Sequence, residues 1–203
     1  AASPDAVVLC VTNPLDVMTH LAWRVSGLSP ARVLGMGDVV DSARFAYFIA
    51  EATGAMVSDI DAVVIGAHGD TMVPLPRFST VRGTPLTETL PPAEVAEVVR
   101  RTVFGGAEVV GLLGSGSAFY APAASIAAMV EAILGDTGAV LPSCVLLDGE
   151  YGLSGLHLNV PAALGRGGVR EVVVWDLDAT ERAALVESAA GVAEMLASID
   201  LHS

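Results

Sequence analysis

Lysine is missing from this sequence, and basic side chains of any kind are few. All ten basic residues are arginine, against 23 aspartate and glutamate residues, so the formal net charge at pH 7 is −13. Proteins that bind nucleic acid non-specifically need basic patches that neutralise phosphates. The composition therefore argues against a nucleic-acid partner, and each arginine becomes a candidate for a specific contact.

Cysteine and long apolar runs are also scarce. The two cysteines, Cys10 and Cys144, lie in apolar segments without the spacing of metal ligands, which predicts a reducing, cytoplasmic setting and no metal site. The apolar stretches are far shorter than the ~20 residues that cross a bilayer, so we predict no membrane partner. The amino terminus has neither a methionine nor a basic region before an apolar run, and is not typical of a signal peptide. We expect the chain to begin within a longer protein.

Apolar runs and turn residues alternate along the chain, which predicts an α/β fold that shades to α+β in the second half. A continuously apolar run from Ala6 to Val11 predicts a buried parallel strand. Helical spacing follows, with Asn13 as a cap and Gly27 as the stop. Further elements are predicted as follows: a strand at 33–34, a helix at 41–53, a strand at 61–65, an extended segment at 71–75, a helix at 93–113 with a potential break at Gly105-Gly106, a helix at 117–134, strands within 139–174 and a helix at 178–199.

Asn13 stands at the end of the first predicted strand, in the segment Val11-Thr12-Asn13-Pro14. Its amide offers both a hydrogen-bond donor and an acceptor. Ligands bind at the carboxyl ends of strands in open parallel sheets. Asn13 is therefore either a ligand-binding side chain or only a helix cap.

Asp41 and Arg44 are three positions apart, on adjoining parts of one predicted helical face. An arginine in the first helical turn is unfavourable to the helix dipole unless an anion holds it. A substrate carboxylate would serve, bound through two parallel hydrogen bonds. The alternative is an ordinary ion pair at a helix terminus.

His68 lies between glycines in the segment Gly66-Ala67-His68-Gly69-Asp70, where a predicted strand ends. Histidine titrates near neutral pH and can both accept and return a proton. Glycine permits unusual backbone angles and the close approach of a ligand. His68 is a candidate acid/base, although a lone histidine is more often a polar residue with an ordinary hydrogen-bond partner.

Taken together, these three segments resemble the lactate/malate dehydrogenase family, in its order and at roughly its spacing. The likeness continues through most of the chain, and the wording of residues 72–80 is similar to the malate branch. The segments that carry it are Val11 to Asp16, Val39 to Phe45, Gly66 to Asp70, Met72 to Thr80, Gly116 to Ala123, Tyr151-Gly152, Val160-Pro161 and Gly165 to Val169.

The resemblance implies an NAD-dependent malate dehydrogenase, acting on malate and oxaloacetate in the tricarboxylic acid cycle and forming a homo-oligomer in its complete form. It implies that His68 is the catalytic acid/base and Asp41 its orienting partner. Arg44 would bind the C1 carboxylate of the substrate, and Asn13 the reacting oxygen. The resemblance further places Val11, Thr12 and Asn13 at the nicotinamide and Met72, Ser117 and Ala118 on the substrate side.

The sequence departs from that family at three points. It offers no strand and glycine-rich turn for the cofactor's pyrophosphate, because the glycine-rich segment at 111–116 lies between predicted helices. The loop whose arginines read the distal carboxylate is also missing. Asp38 stands where a small residue is common, and Ala46 where the family often has arginine. We therefore predict that residues 1–36 are the end of a Rossmann-type cofactor domain and that 37–203 form the catalytic domain.

Three functions remain open at this point. The chain is either part of a malate dehydrogenase, inactive when isolated, or part of a lactate dehydrogenase, or a non-catalytic binding or assembly module that keeps the fold.

Overall fold

The amino-terminal part of the chain is a β-α-β unit. In the computed structural model, which describes residues 3–115 and 118–199, strand β1 (Val8–Cys10) is followed by helix α1 (Leu15–Ser26) and strand β2 (Val33–Gly35). The two strands pair in parallel. This pair is the predicted end of a Rossmann-type sheet.

The middle of the chain consists of helices and very short strands. The long helix α4 packs on α2, and the strands form two small antiparallel sheets, in which β6 lies between β3 and β7 while β4 pairs with β5. The elements are α2 (Asp38–Thr53), β3 (Ile60–Asp61), β4 (Val64–Ile65), β5 (Val73–Pro74), β6 (Thr80–Val81), β7 (Thr84–Pro85), α3 (Leu86–Thr89), α4 (Pro92–Leu113) and α5 (Tyr120–Leu134).

Three longer strands and a terminal helix complete the fold. They are β8 (Val140–Asp148), β9 (Ser154–Gly165), β10 (Gly168–Val172) and α6 (Ala179–Ala197). The large sheet has the order β1-β2-β8-β9-β10, with β2 antiparallel to β8, so it runs across the predicted boundary at residue 36. This mixed sheet with its helices confirms the predicted α/β class shading to α+β. Within the described residues, no helix has the length and apolarity needed to cross a membrane.

The buried apolar side chains form two clusters, and strand β4 touches both. The larger cluster, which includes Ile65 and Leu158, fills the space between the sheet, α5 and α6. The smaller one, which includes Val64 and Phe45, lies between α2 and α4. Burying one such side chain contributes roughly 1.5–3 kcal/mol. Strand β4 is therefore anchored in both clusters, and the segment that follows it begins from a fixed position.

Several element boundaries differ from the predictions. Helix α2 begins at Asp38, three residues before the predicted start at residue 41, because the Gly37 backbone already turns there. Asn13 is not the cap of α1: the N-cap position is Pro14, which makes no side-chain hydrogen bond to the start of the helix. The predicted strand at 61–65 is two short strands, β3 and β4.

The glycine pair in α4 does not break that helix. Gly105 is buried and faces α2, where an added Cβ would lie 3.0 Å from the Phe48 ring. The pair instead allows α4 to approach α2 closely.

Helix α5 begins at Tyr120. At the carboxyl end, Asp178 and Glu181 form a reciprocal capping box at the start of α6.

Candidate active site

His68 lies in the turn after β4, and its backbone is held from two sides. Its N–H donates to Oδ2 of Asp16 at 3.0 Å, and the preceding N–H of Ala67 donates to Oγ of Ser188 at 2.8 Å. The flanking glycines both have positive φ, +100° at Gly66 and +126° at Gly69. Side chains at either glycine would be strained, as the sequence predicted.

The imidazole of His68 is bonded to a buried carboxylate. Its Nδ1 lies 2.6 Å from Oδ2 of Asp41, whose side chain has an exposed fraction of 0%, against 19% for His68. A carboxylate only accepts, so Nδ1 carries the proton and Nε2 is left for a ligand. Burial alone would lower the pKa of His68, but the hydrogen bond and charge of Asp41, together with the charge of Asp16, raise it above its usual value.

Arg44 binds the other oxygen of the same carboxylate. Its Nη1 donates to Oδ1 of Asp41 at 2.6 Å, and 18% of its side chain is exposed. The predicted local ion pair therefore exists. The argument from the helix dipole was wrong, however, because α2 begins at Asp38 and Arg44 lies in its second turn.

A cleft of about 450 Å³ brings the predicted residues together. Its polar side chains are Asn13, Arg44 and His68; none of the described residues that line it is acidic. The remaining lining is Val11, Met36, Val40, Gly106, Val110, Ala118, Phe119, Pro122, Ala123 and Ile126. Such a cleft, mostly apolar with one fixed cation, one imidazole and one amide, suits a small organic anion.

The remaining predicted residues occupy different places. Val11 and Ala118 line the cleft, whereas Thr12 is exposed and is not among the lining residues. Met72 is buried in the smaller core cluster and also lies outside this lining. Ser117 lies outside the described residues.

Sequence reasoning missed the polar network behind the cleft. Asn159, buried on β9, donates from Nδ2 to Oδ1 of Asp16 at 3.0 Å and to the carbonyl of Gly66 at 3.1 Å, while its own Oδ1 accepts the N–H of Asp38 at 3.2 Å. Burial raises the pKa of Asp16 to about 6, against its hydrogen bonds with His68 and Cys144. The only available signal was Asp16 itself, a charged residue in an otherwise apolar helix start.

Asp38 adds a second carboxyl group next to Asp41. One oxygen of Asp38, one of Asp41 and a ring nitrogen of His68 lie within 4.8 Å of one another, a spacing that would also suit a metal ion. Both Asp41 oxygens, however, already accept hydrogen bonds from Arg44 and His68. The arrangement thus resembles an acid/base pair with an added carboxyl more than a set of free ligands.

The chain is similar to known proteins in family, sequence and structure. Residues 39–202 match the model of the lactate/malate dehydrogenase alpha/beta C-terminal domain. The malate dehydrogenase of Synechocystis sp. is 52% identical over 190 residues, which cover 94% of this chain and 59% of that protein. The chain therefore spans less than two thirds of the length of this curated relative.

Two solved structures show the same arrangement of the backbone. A malate dehydrogenase from Salinibacter ruber has a TM-score of 0.93 and 49% identity, covering 96% of this chain and 63% of that one. A lactate dehydrogenase from Cryptosporidium parvum, complexed with lactic acid and nicotinamide adenine dinucleotide, has a TM-score of 0.93 and 38% identity, covering 97% and 65%. Enzymes named as malate and as lactate dehydrogenases thus share this fold.

Proposed function

The chain belongs to the lactate/malate dehydrogenase family, and we propose that it is the catalytic portion of an NAD-dependent malate dehydrogenase. One observation carries the proposal: His68, its partner Asp41 and the cation Arg44 are joined by two hydrogen bonds of 2.6 Å at one cleft. Asn13 lines the same cleft. The proposed reaction interconverts malate and oxaloacetate.

We assign the proton transfer to His68. In malate oxidation, the proton of the substrate hydroxyl would move to Nε2, the nitrogen that does not face Asp41. The imidazolium that forms is stabilised by the buried carboxylate beside it. In the reverse direction, the protonated ring returns the proton to the carbonyl oxygen of oxaloacetate.

Arg44 and Asn13 would hold the substrate. The guanidinium of Arg44 has N–H groups beyond the one that binds Asp41 and can pair with the C1 carboxylate. The amide of Asn13 can donate to the reacting oxygen. Holding C2 in place in this way lowers the barrier by positioning. Ala118, together with Ser117, is proposed on the substrate side, whereas the buried position of Met72 favours a packing role.

Part of the lining of the cleft fits a nicotinamide ring. Val11 is half exposed at the end of β1, and the largely buried side chains of Met36 and Val40 line the same cleft, as does the amide of Asn13. An apolar lining beside an amide matches a flat ring that carries a carboxamide. We propose that Val11, Thr12 and Asn13 hold that end of NAD. When bound, NAD supplies the acceptor for the hydride from C2.

The rest of the cofactor site is proposed to lie outside this sequence. The chain covers 59% of the Synechocystis sp. relative, and its glycine-rich segment at 111–116 begins within the last turn of helix α4 rather than after a strand. We therefore divide the chain into residues 1–36, part of a cofactor domain, and 37–203, and we propose that it is inactive alone. The homo-oligomer and the role in the tricarboxylic acid cycle stay predictions from the resemblance, and the cytoplasmic location stays a prediction from the two cysteines.

Lactate is the second candidate substrate, because the lactate dehydrogenase from Cryptosporidium parvum has the same TM-score as the Salinibacter ruber enzyme. A non-catalytic module is the third. The three candidate functions are distinguished by measuring kcat/KM of the complete enzyme for oxaloacetate and for pyruvate, with NADH as the second substrate. We expect at least ~10²-fold preference for oxaloacetate, since a second carboxylate gives the site an additional charged contact. A preference for pyruvate would replace malate by lactate, and no turnover of either would favour the module.

A further inference from the structure

Asp38 is a buried carboxyl group that the proposed mechanism does not use. It has an exposed fraction of 0%, and neither of its carboxyl oxygens has a hydrogen-bond donor within reach among the described residues. Its backbone N–H, by contrast, is bonded to Asn159. An ionised carboxylate without any donor in such a place would carry the full cost of losing its water.

The groups around Asp38 make ionisation still less favourable. The titratable groups that face it are Asp16 on α1, Asp41 on its own helix, His68 after β4 and the Cys144 thiol on β8. Burial, followed by the negative charges of Asp41 and Asp16, raises the pKa of Asp38 well above its usual value. Its place in the first turn of α2 favours negative charge, but that effect is smaller than the cost of burial.

The partner for a protonated Asp38 is the Asp41 carboxylate. A carboxyl oxygen of Asp38, a carboxyl oxygen of Asp41 and a ring nitrogen of His68 all lie within 4.8 Å of one another. Asp41 has lone pairs left after its bonds to Arg44 and His68. We propose that Asp38 is a positioning residue that stays protonated and donates a hydrogen bond from its carboxyl O–H to the carboxylate of Asp41. Asp41 is then held by three donors, on Arg44, His68 and Asp38.

This contact would tune the acid/base as well as orient it. A third donor spreads the negative charge of Asp41 and so weakens its stabilisation of the imidazolium. Removing the donor would leave the charge more fully available to His68. The proposal rests on the proposed function only for its effect on turnover, since the protonation of His68 can be measured directly.

The test compares Asp38→Asn and Asp38→Leu in the complete enzyme. The amide of Asn keeps a donor for Asp41, whereas Leu has a similar size and no donor. Two readouts are taken: the ¹³C NMR titration of the His68 ring, assigned with His68→Asn, and the pH profile of kcat/KM for malate. The matched control is Asp61→Asn, an exposed carboxylate.

We expect the His68 midpoint to rise by ~0.5 pH unit or more in Asp38→Leu and to stay near the wild-type value in Asp38→Asn and the control. The acid limb of the malate profile should move with it. A fall of the His68 midpoint in both Asp38 variants would mean that Asp38 is ionised in the wild type, and would overturn the proposal. If Asp38→Leu lowers the stability but leaves the His68 midpoint unchanged, Asp38 has only a packing role, and the proposal is overturned as well.

If Asp38→Leu does not fold, Asp38→Asn decides alone. An ionised Asp38 predicts that the His68 midpoint falls in Asp38→Asn, whereas a protonated Asp38 predicts no fall. A shifted NMR midpoint in Leu together with undiminished turnover in His68→Asn would leave the Asp38 contact standing and refute the proposed function instead.

Discussion

The carboxylate of Asp16 holds the backbone of His68, at 3.0 Å from Oδ2 to N, although 52 positions separate the two residues. Its other oxygen, Oδ1, accepts from Nδ2 of Asn159, also at 3.0 Å. The turn that carries the proposed acid/base is therefore fixed to α1 and β9 by a polar network that does not touch the proposed substrate.

Replacement of Asn159 by Ala should lower both stability and turnover. Asn159→Ala leaves the carbonyl of Gly66, an oxygen of Asp16 and the N–H of Asp38 each one partner short. A buried polar group left without its partner costs ~1–3 kcal/mol, so we expect the free energy of unfolding to fall by at least ~2 kcal/mol. Urea denaturation measures this. Ser143→Ala, which removes only a contact within its own strand, is the control, and an equal cost for both variants would contradict the role of the network.

Arg44→Lys keeps the charge but loses the planar fork that binds Asp41 and that we propose pairs with the substrate carboxylate. We expect KM for oxaloacetate to rise by ~10-fold or more, with the Kd for NADH changed less than twofold. Arg82→Lys, at an exposed ion pair with Asp59, is the matched control and should change neither constant. Equal losses for substrate and cofactor would remove Arg44 from substrate binding.

His157 should make the protein less stable at mildly acid pH. Burial and the nearby His20 lower its pKa to about 3. Below its ordinary pKa of 6.5, the unfolded chain binds a proton that the folded chain does not, so the free energy of unfolding falls as pH drops from 6.5 toward 3. Between pH 7.5 and 5 the loss is ~2 kcal/mol.

The variant His157→Leu isolates this effect, because the comparison at each pH cancels the contributions of Asp16 and other groups. The cost of the substitution should be ~2 kcal/mol smaller at pH 5 than at pH 7.5. The control Leu158→Ala, in the same strand, should cost the same at both pH values. A cost of His157→Leu that does not vary with pH would show that His157 is not held neutral by the fold.

The 203-residue chain by itself should bind NADH negligibly and turn over no oxaloacetate, because the proposed contacts to NAD are limited to Val11, Thr12 and Asn13. Strand β1 forms one edge of the large sheet, so the chain should also associate in solution. Isothermal titration and light scattering test the two statements. Micromolar NADH binding with turnover would contradict the proposed division of the cofactor site.

The polar residues that line the cleft could be found from the sequence because short motifs carry them. Asn13 follows a strand, and His68 lies between glycines, so each is recognisable within a few positions. Asp41 and Arg44 were recognisable from helical spacing, although the helix start was misplaced because Gly37 gives no capping signal.

The polar network could not be found in this way. Asn159 is one of three polar residues in the long strand β9, with nothing in its own position to mark it, and its partners lie 93 to 143 positions away. Only the paired strands and the closely packed α1 bring them together. A different reason hid the relationship of Asp38 to Asp41, which are only three positions apart: the sequence showed an unusual residue at 38 but not that both carboxyl groups are fully buried.

Turnover of His68→Asn in the complete enzyme tests the central claim most directly. Asn keeps a polar side chain at this position but cannot exchange a proton near neutral pH, so we expect kcat for oxaloacetate reduction to fall by ~10²-fold or more while the Kd for NADH stays within about twofold. Asp61→Asn again serves as the exposed control. Turnover within a few-fold of wild type, with NADH binding intact, would contradict the assignment of His68 as the acid/base.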